Sequence, residues 1–542
     1  MDFQRVLLFI ALSFTLLMIY EAWQNDYVRP QQPPPNSTAT ASTAIGDRPD
    51  TSSLPGRPDT PASTTALLES VARVTIDTDL YHIELDTRGG DLRYLELKHY
   101  PISPEDPDNL VTLMNDASPI FIAQSGLLAT SGNHAPDHHA DYRVEQSHFK
   151  MDQNSDTLTV PLTWQHDSGL TVTKSYIFHR DSYLIDVTFH IDNQSADPWG
   201  GFLYQQLQRQ RPQEGGNAFI YTYTGGVIYS PEEKYEKISF DDMDKIALQR
   251  TIQQGWLAMI QHYFLGAWLP ATEEPYQYYS KKASGGRYIL GAIGTQQSLA
   301  AGESLELTSR LFVGPKLTHQ LEEAAEGLEL SVDYGILTIL AKPLFWMLEL
   351  IQSFVGNWGW SIILLTILIK LAFYKLSETS YRSMAQLRKF QPKLQALKER
   401  YGDDRQAMNQ AMMKIYKEEK INPLGGCLPI LIQIPVFIAL YWMLLESVEM
   451  RQAPFMLWIQ DLSAADPYFV LPLLMGVTMI IQQKLNPAPL DPIQAKVMMA
   501  LPIIFTVFFI FFPAGLVLYW VVNNALSIAQ QWYITRVVIK EK

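Results

Sequence analysis

The chain has 542 residues, 47% of them hydrophobic, with a formal net charge of −14 and a mean hydropathy of −0.04. That length admits two or three domains, and the near-zero hydropathy averages an acidic, polar first half with a second half of long apolar runs broken by basic loops. The acidic first half argues against nucleic acid, DNA included, as a partner of the soluble part, because phosphate binding needs a basic footprint; the lone cysteine, Cys427, excludes an intramolecular disulfide and a cysteine-based zinc site.

Residues 1–24 are predicted to form an uncleaved transmembrane signal anchor. Val6 to Tyr20 is apolar, Arg5 precedes it, and the following YEAWQND lacks the small residues of a cleavage site. With Arg5 on the cytoplasmic side, the positive-inside rule sends the next segment across the membrane. Residues 25–65, with PQQPPP and the RPDT shared by GDRPDT and GRPDT, cannot bury a core and are predicted to be an extended linker. The sequon Asn36-Ser37-Thr38 reads as chance in so Ser/Thr-rich a stretch.

From residue 66 to about 330 the runs VTIDT, YHIELDT, LRYLELKHY, TLTVPLTW, LTVTKSYIF and YLIDVTFHID alternate with period two, and Arg88-Gly89-Gly90-Asp91 marks a turn. This predicts antiparallel strands stacked as a large all-β sandwich. Chemistry is thinly represented. His134, His138 and His139 with Asp137 and Asp141 have no helical His-x₃-His frame, so a solvated loop is favoured over a metal site. Glu232, Glu233, Asp241, Asp242 and Asp244 read as a solvated face, and Trp256 to Pro270 as core instead of a sugar-stacking platform.

Beyond the sandwich, Tyr334 to Val355 is apolar but interrupted at Lys342-Pro343, and residues 331–356 are predicted to lie as an amphipathic helix on the outer membrane surface. Residues 357–377, NWGWSIILLTILIKLAFYKLS, are predicted to cross the bilayer, with Lys370 and, one turn earlier, Thr366 on one side. Two readings are open for Lys370: snorkelling toward the headgroups, or the start of a polar stripe inside the membrane. Thr366 has its own alternative, a hydroxyl bonded back to its helix.

Residues 378–421 carry Arg382, Arg388, Lys389, Lys393, Lys398 and Arg400, a bias that predicts a cytoplasmic location. Helical periodicity in Met384, Leu387, Leu394, Leu397 and Tyr401, then in Met408, Met412, Ile415 and Tyr416, predicts a helical hairpin turning at Gly402-Asp403-Asp404. Asp403 or Asp404 is expected to cap the second helix, and Asn422-Pro423 to end it. Its basic charge suits acidic headgroups, ribosomal RNA or another partner; a solvated connector is the alternative.

Within residues 422–535 the further spans are Leu424 to Leu445, Tyr468 to Gln482, Val497 to Phe512 and Pro513 to Ile534, which with the anchor make six crossings and leave the short basic tail, 536–542, in the cytoplasm. Gln433 lies in the first of these. Trp520, Asn524, Ser527 and Gln531 share one face of the last, with Tyr519 and Asn523 beside it. Singly each reads as an interhelical hydrogen bond; with Lys370 and Thr366 they read as the lining of a wet cavity.

The stretches NPLGGCLPILIQIPVF (422–437), ESVEMRQAPFMLWIQDLSAADPYFVLPLLMGVTM (446–479) and FPAGLVLYWVVNNALSIAQQ (512–531), with YHIELDTRGGDLRYLELKHYP and QHYFLGAWLP in the first half, closely resemble the Oxa1/YidC family of bacterial membrane protein insertases over essentially the whole chain. The resemblance implies a periplasmic β-supersandwich, similar to sugar-mutarotase folds but without known catalysis. It also implies an N-terminal anchor plus five core helices with a cytoplasmic hairpin, enclosing a hydrophilic groove open to cytoplasm and lipid, in the inner membrane of a Gram-negative bacterium. Implied partners are nascent inner-membrane proteins, the lipid bilayer, the Sec translocon with its accessory SecDF complex, and the ribosome. No cofactor or metal is implied.

The groove cation of the family, commonly arginine, falls on Lys370, which keeps the charge and loses the planar fork. The family's threonine falls on Thr366, and its aromatic contact on the last helix on Trp520 or Tyr519. Gln433, Asn523 and Asn524 complete the expected groove, and Arg382, Arg388, Lys389, Lys393, Lys398 and Arg400 the expected partner contact. A non-enzymatic insertase is the reading adopted. A secondary transporter of a small anion and a membrane-tethered carbohydrate-active sandwich stand as alternatives. No GxxxxGK[ST] motif offers nucleotide energy.

Overall fold

Alternating apolar and polar residues fold the first half of the chain as strands, and long apolar runs fold the second half as helices. The computed structural model describes residues 46–49, 68–130, 132–212, 222–271, 273–401, 404–418, 428–486 and 492–538. The predicted anchor, most of the predicted linker, Gly402-Asp403, Asn422-Pro423, Cys427 and the tail beyond Val538 lie outside these residues. Two compact units emerge: a sandwich unit, 46–335 with 445–452, and a helical unit, 336–444 with 453–538.

In the sandwich unit the predicted runs are strands at Arg73–Asp77, Tyr81–Asp86, Asp91–Ser103, Thr157–Gln165, Leu170–His179 and Leu184–Asn193. Burial along Leu170–His179 alternates at every residue, as a strand with one face in a core requires. Among the described residues one sheet has eleven strands and the other eight. In the first, Trp199–Gln210 pairs antiparallel with Phe121–Ala129 on one side and Arg287–Ile293 on the other. In the second, Phe264–Leu269, Ser304–Pro315, Leu184–Asn193 and Leu170–His179 follow one another.

Hydrogen bonds tie the two sheets across the core. The Tyr81 hydroxyl donates to the Val313 carbonyl at 2.6 Å, and the Trp268 indole to that of Gln206 at 3.1 Å. Trp256 to Leu269 supplies two strands whose members are all buried, as expected of core. The carboxylate group read as a solvated face is engaged locally: Asp242 closes a capping box with Ser239 at the short helix α1 (Phe240–Lys245), Asp244 pairs with Lys282 at 2.6 Å, and Glu233 with Arg250 at 2.6 Å. A second short helix, α2, covers Thr318–Ala324.

The histidine segment departs from expectation. Instead of a solvated loop, it is drawn onto the eleven-stranded sheet, and His138 and Asp137 are buried. Its backbone accepts from Leu127 N–H at Pro136 and from Gly89 N–H at Ala140. Gly89 has φ +74°, and a Cβ there would fall 2.5 Å from the His138 carbonyl oxygen, so this turn needs glycine for both backbone and space. These partners lie far away in sequence, which is why composition alone favoured solvent. Gly46–Pro49 also departs: predicted as linker, its Asp47 and Pro49 are buried.

The helical unit begins with α3, Thr338–Val355. The expected interruption at Lys342-Pro343 is absent, because the helix runs on across Pro343. With the preceding turn, Gly335–Val355 is long and apolar enough to cross a membrane, and among the described residues it alone passes that test as a single helix. The predicted span 357–377 is instead two helices, α4 (Trp358–Ala372) and α5 (Tyr374–Tyr401), bent by 67°. Asn357 caps α4 by accepting from Trp360 N–H at 3.1 Å, while its own amide donates to the carbonyls of Pro454 and Phe455.

Helix α6 (Arg405–Glu418) packs against α5, and the Asp404 side chain caps it by accepting from Ala407 N–H at 3.0 Å. Then follow α7 (Leu428–Glu446), α8 (Val470–Leu485), α9 (Pro492–Phe509) and α10 (Ala514–Tyr533). Helix α10 packs on both α4 and α8, so its two faces are covered by different neighbours.

Candidate functional site: a cavity around Lys370

Helical spacing places Tyr519, Asn523, Ser527 and, next to them, Asn524 on the side of α10 that its neighbours cover, and all four are buried. Since α4 packs on α10, Lys370 in the last turn of α4 reaches across, and its Nζ donates to Ser527 Oγ at 2.7 Å. The Ser527 hydroxyl passes its own proton to the Asn523 carbonyl at 2.7 Å. From α7, the Gln433 amide donates to Asn523 Oδ1 at 2.7 Å. The Asn524 amide reaches Thr478 Oγ1 of α8 at 3.4 Å.

These groups border a cavity of about 360 Å³ inside the helical unit. Lys370, Gln433, Tyr519, Trp520, Asn523 and Asn524 all line it, so the structure brings together six of the seven groove residues expected from sequence. Tyr519 and Trp520 both contribute, with Phe437 stacked near Tyr519 and 4.7 Å, centroid to centroid, from Trp520. The Trp520 indole N–H is buried without a hydrogen-bond partner among the described residues.

Thr366 is the exception. It is 1% exposed, its hydroxyl donates to the Ile362 carbonyl of its own helix at 2.6 Å, and it is absent from the cavity wall. A threonine hydroxyl that bonds to the residue four earlier is turned along its helix and has no proton left for a ligand.

Sequence reasoning missed Ser377, Ser380 and Tyr381 from α5 and Gln482, Gln483 and Asn486 from the end of α8 and just past it, all in the wall. A signal existed for the first group: positions 377, 381 and 384 follow helical spacing along α5. The rest of the wall is apolar and compliant, with Met479, Met498 and Phe505. The wall therefore offers one cation, several amide and hydroxyl groups, and soft hydrophobic surface. Among the described residues it holds no Asp or Glu.

The expected partner-contact residues lie on α5. Arg388, Lys389, Lys393 and Arg400 are exposed, Arg382 is half-buried and bonded to Glu378 at 2.6 Å, and the side chain of Lys398 is outside the described residues. Leu394, on the opposite side, is buried.

Two family models divide the chain: residues 73–347 match the YidC periplasmic domain, and residues 350–542 the 60Kd inner membrane protein family. Among curated relatives, the chain is 52% identical over 548 residues to the membrane protein insertase YidC of Methylococcus capsulatus, covering 100% of this chain and 99% of the relative. It is 54% identical over 554 residues to that of Alkalilimnicola ehrlichii, covering 99% and 96%. A solved structure described as an active YidC insertase with its first transmembrane domain resolved aligns with 16% identity and a TM-score of 0.38, covering 86% of this chain and 94% of that one. Full-length identities at this level favour neither the small-anion transporter nor the carbohydrate-active sandwich. The chain belongs to the YidC family of membrane protein insertases, inner-membrane proteins with a periplasmic domain.

Proposed function

We propose that the cavity around Lys370 is where this insertase receives the polar part of an incoming membrane protein. A hydrated recess within the bilayer shortens the apolar distance that a tail must cross. The Lys370 ammonium attracts acidic residues of the tail, and the hydrophobic segment of the substrate leaves sideways into lipid, driven by burial of apolar surface away from water. The free energy comes from that burial, with the membrane potential acting on charges in transit.

One observation carries this reading. Lys370 donates to a neutral hydroxyl, and no residue in the cavity wall is acidic among the described residues, so the cation is left to meet a carboxylate from outside. The wider arrangement is part of the same reading: both termini in the cytoplasm, residues 25–356 outside with 331–356 along the membrane surface, and the basic helices α5 and α6 as a cytoplasmic hairpin. That hairpin meets acidic headgroups or the ribosome, and the Sec translocon with SecDF is the membrane partner; the resemblance in sequence supports these assignments.

The test is insertion into reconstituted vesicles of two substrates that differ only in whether the translocated tail is acidic. A hydrogen bond to a charged group is worth about 1.5–3 kcal/mol, so Lys370→Gln is expected to slow the acidic tail by about tenfold or more. Lys370→Arg should restore it, and the neutral tail should respond weakly to either change. Equal insertion of the acidic tail by Lys370→Gln and the parent protein refutes the role. A photo-crosslinker at Trp520, in the wall, should capture the substrate; at Thr366, turned along its helix, it should not.

A further inference from the structure

The part of the sandwich that faces the Gly46–Pro49 segment is built as a recognition pocket. Along Trp199–Gln210, Gln205 bonds to Ser309 of the opposite sheet, so the side chains of Tyr204, Gln206 and Gln208 point to the other face. There the Gln206 amide donates to the Asp47 carbonyl at 3.1 Å, and Lys281 donates to the Arg48 carbonyl. The Asp47 carboxylate lies against three groups: His139 Nε2 at 3.0 Å, His138 Nε2 at 3.3 Å and Arg287 at 3.5 Å. Arg48 in turn pairs with Asp137 at 2.5 Å. Each of the two residues is thus matched at its side chain and at its carbonyl.

Asp47, His138 and His139 also bring ligand-type atoms within 4.8 Å of one another, the arrangement a divalent cation would use. The neighbouring charge decides against the cation. The Tyr204 hydroxyl accepts from the His138 backbone N–H at 2.9 Å and lies 2.5 Å from His138 Nδ1, which fixes the orientation of the ring. A metal ion held by Asp47 would sit beside the Arg287 guanidinium, which already faces that carboxylate at 3.5 Å. The His139 imidazole and the Arg287 guanidinium, with the His138 ring beside them, face one carboxylate and make a clamp without any ion.

We propose that this face of the sandwich is a peptide-binding pocket for an Asp-Arg motif, and that the chain fills it with its own Asp47–Arg48. The clamp residues are also held by the sandwich itself: Arg287 donates to Gln208 Oε1 at 2.9 Å and to the Ser284 carbonyl at 2.9 Å, and His138 contacts Tyr204. The motif is specific within the linker. The second RPDT copy has Gly56 where the first has Asp47, so it lacks the carboxylate that the clamp grips. Seating Asp47 halves the tether between the predicted anchor and the sandwich, from residues 25–65 to residues 25–46.

The test places spin labels at Asp50→Cys and Asp167→Cys in the full chain carrying Cys427→Ser, in lipid nanodiscs, and reads the distance between them by pulsed electron resonance. The parent is expected to give one narrow distribution. Asp47→Ala, a change outside the sandwich core, is expected to broaden it several-fold, while Asp59→Ala in the second copy leaves it narrow. A broad distribution in the parent, or a narrow one that survives Asp47→Ala, overturns the proposal. The readout does not involve insertion, so it stands or falls apart from the role of Lys370.

Discussion

Lys174 shows how a single charge is tolerated in the sandwich core. It is fully buried, and its ammonium donates to the carbonyls of Gly89 at 3.0 Å and Ser125 at 2.9 Å, joining the two sheets. Burial pushes it down to about 8, against the pull of the Asp91 carboxylate. Lys174→Met leaves two buried carbonyls unmatched and is expected to destabilise the sandwich by about 2–4 kcal/mol. Because the folded value lies below the ordinary one, the unfolded chain binds more protons between about pH 8 and 10.5. The parent should therefore gain stability relative to Lys174→Met as pH rises through that window, which denaturant titration of both chains at pH 7, 8, 9 and 10 would measure. Neither this residue nor the glutamines of Trp199–Gln210 and Phe121–Ala129 were picked out in the sequence. Their partners, such as Asp91 for Gln124 and Gln124 for Gln206 and Gln208, are set by strand register that no local pattern encodes. Lys370 was legible for the opposite reason: a charge inside an apolar run stands out against its neighbours, and only its partner Ser527, 157 residues on, had to come from the fold.

At the scale of elements, strands and helices followed from periodicity, and their junctions did not. The strict alternation of Leu170–His179 and the helical spacing of α5 are both repeated in burial. The bend at Phe373, between α4 and α5, has no glycine or proline to mark it, and Pro343, which does look like a break, lies within a continuous helix. Interior proline costs about 3 kcal/mol in an isolated helix, a penalty that packing of Ala341, Phe345 and Leu348 into buried positions offsets. Helix α5 divides its labour between faces, with Leu394 buried and Arg388, Lys389 and Lys393 exposed. Reversing these three charges to Glu should leave thermal stability nearly unchanged, since surface substitutions stay within about 0.5 kcal/mol each. It should weaken sedimentation with anionic vesicles by well over tenfold, at about 1 kcal/mol per basic residue near such a surface. Leu394→Ala should do the reverse, costing about 2–4 kcal/mol of helix packing while leaving vesicle binding of the folded protein intact. If both variants bind vesicles like the parent, the basic face is only a solvated connector.

For the whole molecule, the division into a sandwich unit and a helical unit separates two kinds of work. Among the described residues, those lining the Lys370 cavity belong to the helical unit, and its polar network is drawn from α4, α7, α8 and α10. A chain lacking residues 66–330 should therefore keep insertion within about threefold of the parent, as expected of units with separate cores. The division has one irregularity, because Leu445–Gln452 belongs with the sandwich and buries Val448 and Met450 there. Deletion uncovers both side chains, each worth about 1.5–3 kcal/mol when fully buried, so the shortened protein should aggregate more readily. Adding Val448→Ser and Met450→Ser to the deletion should restore its solubility without changing its rate per folded molecule. Insertion assays normalised to the monomeric fraction separate the two effects. Loss of insertion in that solubilised, shortened chain would mean that the sandwich takes part in the insertion step itself, and that the cavity alone is insufficient for it.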